Sequence, residues 1–473
     1  MNPRPCFVGG EERTGPNTYE VRNPYDGSLV AAVTRPGETD LEDSLSAAVE
    51  GFRAVRSLPV WKRADALLEV SRRLETENER FARTIALEAG KPIAQARVEA
   101  ARAVQTFRIA AEEARRLGGE LIPLDLAPGN EGRFGITRRF PVGPVACISP
   151  FNFPLNLVAH KVAPALAAGC SFVLKPASQT PLSALDLAGL LLEAGFPPEA
   201  ISVLPLASSA AESLAEDPRL RALSFTGSAE VGWELRRKAF RKRVVLELGG
   251  NAGVIVDRSA DLDFAVPRIA AGAFGYAGQV CISVQRIYVH EEVFEPFLES
   301  FLARVDRLVV GDPLDERTAI GPVIADADAD RIESWIEEAI GGGARALRRG
   351  HREGRILGPT VLTGTAPEMK VCASEVFAPV VVVEQVRDAQ EAIDAVDRSE
   401  FGLQAGVFTR DLAIATAAHE RIEVGAVVVN DVPTYRVDHM PYGGVKESGI
   451  GREGPAYAIE DYTEIRLLVV NPR

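Results

Sequence analysis

The stretch PVACISPFNFPLNLVAHKVAPALAAGCSFVLKP, Pro144–Pro176, decides the fold class. A short apolar run, VACIS, gives way to a helical pattern over Pro154–Ala168. That pattern stops at Gly169, and a second apolar run, SFVLKP, follows. Strand, helix and strand at this spacing make a βαβ unit, whose strands lie parallel. The alternation continues outward through ISVL, ALSFTG and VVLEL, with helical patterns near Pro181–Ala194, Ser208–Ala215 and Ala229–Phe240. A second alternating set runs from GVIV at 253–256 to AVVVN at 426–430 and includes RIYVH, APVVVVEQV and AGVFT. The expectation is an α/β protein with parallel sheets. Ligands in such sheets sit at the carboxyl ends of strands, beside helix N-termini.

Upstream, the first 120 residues read as mostly helical. Thr39 and Glu42 suit a capping box that opens a helix over Asp40–Val55. A second helix is expected from Trp61 to Ala89, ending at Gly90, and a third over Ile93–Leu117. EGRFGITRRFPVGP then suits a strand or hairpin, and the tail YTEIRLLVV reads as a strand with no partner beside it in sequence.

Composition narrows the function. With 473 residues, 46% hydrophobic and 25% charged, the chain is globular rather than disordered. A net charge of −13 argues against a general nucleic-acid or anionic-membrane surface. No apolar stretch reaches the roughly 18 residues that span a bilayer, and MNPRPCFVGG lacks the apolar core of a signal peptide. Cys6, Cys147, Cys170, Cys281 and Cys372 are odd in number and irregularly spaced, which points to reduced thiols in a cytoplasmic protein. The five histidines show no metal-binding spacing, so no metal site is expected.

Several motifs carry both a chemical and a structural reading. GIGREG, Gly449–Gly454, matches a dinucleotide-loop pattern but follows no strand and precedes no βαβ unit; it reads as a turn. In ALSFTGSAEVG a strand ends at Phe225 and a helix opens at Ser228, so backbone amides and the Ser228 hydroxyl face either a pyrophosphate or their own helix turn. Lys175 ends a strand before Pro176, placed for ribose hydroxyls or for solvent. Glu247 lies in an apolar strand before Gly249-Gly250; desolvation there makes a general base, or burial pairs it with a cation. Cys281 follows the small, flexible pair Gly278-Gln279 between a helix and a strand, as a nucleophile or an inert core thiol. Asn152, between two aromatics and two prolines, has an amide suited to an oxyanion or to an Asx turn.

Together these residues resemble the NAD(P)-dependent aldehyde dehydrogenase superfamily over essentially the whole chain. PFNFP, LKPAS, FTGS, LELGG, GQVC, SEVFAPV and MPYGGVKESGIGREG occur in the family's order. The resemblance implies Cys281 as nucleophile, Glu247 as general base, Asn152 as oxyanion donor and Lys161 as a lysine near the nucleophile. It implies Pro150, Lys175, Ser178, Gly227, Ser228, Glu375 and Phe377 around the cofactor. Phe153, Val280, Ile282, Ser283, Tyr435 and Arg436 are the substrate-pocket candidates, with Arg436 or Arg102 available to hold an anionic group.

The implied chemistry is oxidation of a small aldehyde to its carboxylic acid through a cysteine thiohemiacetal and thioester. The endings GQVCIS and YRVDHMPYGGVKES are similar to the lactaldehyde, phosphonoacetaldehyde and non-phosphorylating glyceraldehyde-3-phosphate branches. Glu247 favours hydrolysis over acyl transfer to coenzyme A; a non-catalytic protein retaining the fold is the other alternative. Ser178 stands where NAD-restricted relatives carry a glutamate, so NADP is expected to be accepted alongside NAD, with no metal. The resemblance further implies a Rossmann-like cofactor domain (1–118 and 142–249), a second α/β catalytic domain (250–441) and a small β oligomerisation element (119–141 and 456–473). The resemblance also implies a homodimer or homotetramer, with the tail strand extending a neighbour's sheet.

Overall fold

Five of the runs read as strands in the central stretch do assemble in parallel. In the computed structural model, which describes residues 2–472, the order is Ile201–Val203, Phe172–Lys175, Val145–Ile148, Ala222–Thr226 and Arg243–Glu247. Their side chains are mostly apolar and, apart from Arg243 and Val244, buried, as a sheet covered by helices on each side requires. Antiparallel edges close this sheet: Cys6–Val8 and Glu11–Arg13 on one side, Gly449–Ile450 on the other. A second sheet of seven strands follows the order Arg345–Arg348, Thr360–Thr363, Val380–Val386, Arg286–His290, Gly253–Val256, Gln404–Phe408, Ala426–Val429. All its pairs are parallel except the one made by the first strand.

The amino-terminal region departs from the helical expectation. Two strands, Thr18–Arg22 and Leu29–Thr34, form a hairpin, and Cys6–Val8 joins the first sheet. The first helix opens at Glu38, with Asp40 accepting the Gly37 amide at 2.8 Å, so the Thr39–Glu42 capping box does not form. The expected Trp61–Ala89 helix is two, Val60–Thr76 and Asn78–Ala89, broken at Glu77 where the backbone leaves the helical region. The tail strand Thr463–Val470 finds a partner 322 to 336 positions upstream: it pairs antiparallel with Phe134–Pro141, from Thr463 opposite Pro141 to Val470 opposite Phe134. Leu121–Pro123 completes this three-stranded sheet. The helix Pro455–Asp461 returns to the first lobe, where Ala458, Ile459 and Tyr462 enter its apolar core. No helix among the described residues is long and apolar enough to cross a membrane.

Candidate active site

Three loops converge where the strand Arg243–Glu247 ends, and glycine is what lets them meet. A Cβ on Gly249 would lie 2.5 Å from a Glu375 carboxylate oxygen, and one on Gly250 would lie 2.5 Å from the Cys281 carbonyl. Any larger residue would push the three apart. The Gly250 amide donates to Glu375 Oε1 at 3.0 Å, fixing that carboxylate against the turn. Phe377 adopts a left-handed backbone, φ 56°, and packs edge-to-face on Phe151 with centroids 5.9 Å apart. Such a conformation is costly for an aromatic residue and persists only where its surroundings enforce it.

The loop that carries Cys281 is locked rather than flexible. Tyr276 and Ala277 both take left-handed conformations, φ 52° and 53°. The Tyr276 hydroxyl donates to the Ala89 carbonyl at 3.0 Å. Gln279, expected to be mobile, is buried; its amide donates to the Pro322 carbonyl at 3.2 Å and accepts the Ile324 amide at 2.9 Å. Asn152 Nδ2 donates to the Gln279 carbonyl at 2.9 Å. One donor of the Asn152 amide therefore braces the loop two residues before the thiol, and the second stays available for an oxyanion. Of the five free cysteines, only Cys281 is partly exposed. Its Sγ lies 3.0 Å from the Tyr442 hydroxyl. Val280, Ile282, Leu403 and Tyr442 form the apolar cluster around it.

Burial pushes the Cys281 thiol up to about 12; Glu375 and Glu247 add to this, while the Tyr442 hydrogen bond and Arg436 oppose it. Burial, and then the neighbouring Glu453 carboxylate, push Glu247 well above the ordinary carboxylate range. Both Glu247 oxygens are buried without a hydrogen-bond partner among the described residues. Its proton-accepting capacity is therefore uncommitted, which is what a general base requires. Glu453 is the carboxylate that carries the structural pairing. Burial raises it, yet Lys161, Arg436 and His160 together hold it well below the usual range. Lys161 Nζ reaches Thr226 Oγ1 at 2.6 Å, Ser224 Oγ at 3.1 Å and Glu453 at 3.4 Å, so its ammonium is spent on these groups. The cation that acts on the thiol is Arg436, whose guanidinium sits 3.6 Å from the Tyr442 ring centroid and pairs with Glu453 at 2.9 Å.

At the carboxyl ends of the strands Phe172–Lys175 and Ala222–Thr226 of the same sheet lie further uncommitted polar groups. Lys175 is buried, with no hydrogen-bond partner for its ammonium among the described residues, and burial with Arg35 nearby pushes it down to about 8. Ser228 stands at the N-terminus of the helix Ala229–Lys238, and its hydroxyl makes no capping bond. The Gly227 amide bonds the Glu247 carbonyl at 3.1 Å, tying this turn to the strand end that carries Glu247. Ser178 donates to the Leu206 carbonyl at 3.3 Å and brings no charge. Pro150 closes the strand Val145–Ile148 before the Asn152 loop. A buried unpaired ammonium, a free hydroxyl at a helix start and the Glu375 carboxylate fit the hydroxyls and phosphates of a nicotinamide dinucleotide.

The substrate candidates divide. Phe153 and Val280 line a cleft of ≈ 180 Å³ together with Lys91, Glu99, Arg102 and Tyr276. Lys91 Nζ stands 3.5 Å from the Phe153 ring centroid and pairs with Glu99; Arg102 pairs with Asp438 at 2.8 Å. Ile282 is buried behind the thiol. Ser283 instead donates to the Gly272 and Ala273 carbonyls at a helix end, and Tyr435 is 48% exposed, so neither joins this cleft. Sequence reasoning missed Tyr442, Glu453 and Lys91. All three act through neighbours distant in the chain, and only Glu453 lay in a quoted motif with a charge worth questioning. No cluster of three or more His, Cys, Asp or Glu side chains among the described residues is placed to hold a metal.

The family model described as "Aldehyde dehydrogenase family" matches residues 11–468. The 3-sulfolactaldehyde dehydrogenase of Priestia aryabhattai is 45% identical over 466 residues, covering 98% of this chain and 97% of that protein. The crystal structure of aldehyde dehydrogenase 21 from Physcomitrella patens, in complex with the reaction product succinate, superposes with a TM-score of 0.97 at 43% identity, covering 99% of each chain. The glyceraldehyde-3-phosphate dehydrogenase GapN from Methanocaldococcus jannaschii, complexed with NADP, gives 0.93 at 37% identity, covering 96% of this chain and 100% of that one.

Proposed function

This chain belongs to the aldehyde dehydrogenase family, and we propose that it oxidises a small aldehyde bearing a hydroxyl or acidic group to the carboxylic acid, using NADP or NAD. The observation that carries the reading is Cys281, partly exposed as no other cysteine is, on a locked loop braced by the Asn152 amide and near the unpartnered Glu247 carboxylate. In this account the Cys281 thiolate adds to the aldehyde carbon. The spare Asn152 N–H and the Cys281 backbone N–H take the oxyanion, each donor being worth about 3–4 kcal/mol. The oxidised nicotinamide, when bound by Lys175, Ser178, Gly227, Ser228, Glu375 and Phe377 beside Pro150, supplies the two-electron acceptor for the hydrogen leaving that carbon. Glu247 then takes a proton from a water molecule, which hydrolyses the thioester and returns the thiol.

The substrate class rests on the cleft of ≈ 180 Å³, which suits a short molecule, and on Lys91 and Arg102 in its wall. Both cations are paired with carboxylates, so an anionic tail would share them rather than meet a bare charge. Relatives named for 3-sulfolactaldehyde and lactaldehyde support the same size and polarity. A panel of lactaldehyde, 3-sulfolactaldehyde, phosphonoacetaldehyde and unsubstituted aliphatic aldehydes, run with each nicotinamide, tests this. The expected result is a kcat/KM at least ~10-fold higher for substituted than for plain short aldehydes, a difference of about 1.4 kcal/mol, and turnover with NADP. A preference for long apolar aldehydes, or no turnover with NADP, would overturn it.

We further infer that residues 1–118 with 142–249 form the cofactor domain and 250–441 the catalytic domain. Residues 119–141 with 456–473 are inferred to form the oligomerisation element of a homodimer or homotetramer. The support is the outer strand Thr463–Val470, which exposes Ile465, Leu467, Leu468 and Val469, interrupted by Arg466. An open edge of this kind is normally covered. Sedimentation is expected to return two or four chains; a stable monomer would contradict the assignment.

A further inference from the structure

We propose that the Tyr442 hydroxyl is a further catalytic group, donating a hydrogen bond to the Cys281 thiolate and so setting how much of it is available at neutral pH. The proposal rests on Cys281 being the nucleophile. The Tyr442 oxygen lies 3.0 Å from Sγ, and that sulfur is its one hydrogen-bond partner among the described residues. Once the thiol ionises, only the phenol can supply the proton of this bond. The ring cannot swing away. Tyr442 is 2% exposed, packed with Ile282 and Leu403, and its backbone exchanges hydrogen bonds with Glu453 at 3.0 and 2.6 Å. Arg436 lies over the Tyr442 ring: its guanidinium, 3.6 Å from the ring centroid and held by Glu453, draws electron density from the phenol and makes its proton a better donor. Charged groups around the pair are Arg436, Glu247 and Glu375; the two carboxylates disfavour a thiolate, and the phenol and the guanidinium oppose them.

The test is Tyr442→Phe, which keeps the ring and removes one oxygen. Alkylation of Cys281 by iodoacetamide is followed between about pH 6 and pH 11 without aldehyde and with oxidised NADP bound, whose positive nicotinamide ring would favour the thiolate and bring its midpoint into this range. A hydrogen bond to an ionised group is worth about one to two pH units of ionisation. The alkylation midpoint should therefore rise by that amount in Y442F. A more basic thiolate is also a better nucleophile, so the high-pH rate should increase roughly 3- to 10-fold while the neutral-pH rate falls about three- to fifteenfold. Crossing profiles of this kind are not produced by a loss of packing, which lowers both limbs together. An unshifted midpoint, with or without a uniform loss of rate, would overturn the proposal. Failure of the underlying reading would look different: Cys281→Ser would still oxidise aldehyde.

Discussion

Cys281→Ala is expected to abolish aldehyde oxidation, lowering kcat by at least ~10⁴-fold, the scale on which a nucleophile and its partners act as one unit. NADP binding should change by less than about twofold, because Lys175, Ser228 and Glu375 make no contact with the thiol that their own positions depend on. Steady-state absorbance of the reduced nicotinamide and a cofactor-binding titration check the two halves. The other four cysteines cannot substitute. Cys6, Cys147 and Cys170 are buried, whereas Cys281 is partly exposed, so an aldehyde cannot reach them. Cys372 is buried and hydrogen-bonded to Thr365 at 3.2 Å. Retained turnover in C281A would remove the basis for every role assigned here.

Glu247→Gln is expected to separate the two half-reactions. Addition and oxidation need no base at this position once the thiol has ionised, so one equivalent of reduced nicotinamide per active subunit should appear in a burst. Hydrolysis then stalls, and steady-state kcat falls by about 10²–10⁴-fold, the contribution of a positioned general base. The pH sign follows from the raised carboxyl. Only ionised Glu247 can accept a proton, so wild-type kcat climbs as pH rises through its elevated value, and this limb should vanish in the variant. Folding runs the other way. The native state retains this proton where the unfolded chain has released it, so stability attributable to Glu247 is full below the unfolded value, about 4.3, and declines as pH rises above it. A burst-free E247Q whose first turnover is as slow as later ones would mean that Glu247 serves ionisation of the thiol instead.

The fold was readable where apolar runs and turn residues alternate. GVIV and RIYVH match the observed strands residue for residue, at Gly253–Val256 and Arg286–His290. The readings failed where long-range pairing decides. Cys6–Val8 joins the sheet because Ile201–Val203 offers it an edge, which nothing near Cys6 announces, although its hairpin to Glu11–Arg13 through Gly9-Gly10 is a local signal that the helical reading passed over. The GIGREG turn shows both sides. Gly449–Ile450 is an edge strand against Leu246 and Glu247, in keeping with the rejected dinucleotide loop. The same motif nonetheless carries Glu453, whose pairing with Lys161 and Arg436 organises charge around the site. Gln279 illustrates the converse. A Gly-Gln pair looks mobile in sequence, and three hydrogen-bonding partners from elsewhere in the chain make it rigid. Local chemistry thus marks the candidate reactive residues, whereas their restraint is a property of contacts distant in sequence.

The central claim is a covalent acyl group on one sulfur. It is tested most directly by mixing E247Q with excess aldehyde and NADP, quenching in acid and measuring intact and peptide masses. The account predicts a gain equal to the aldehyde less two hydrogens, located on the peptide containing Cys281, at close to one per chain. Reduced nicotinamide formed with no such mass on Cys281, or with the adduct on another residue, would contradict it.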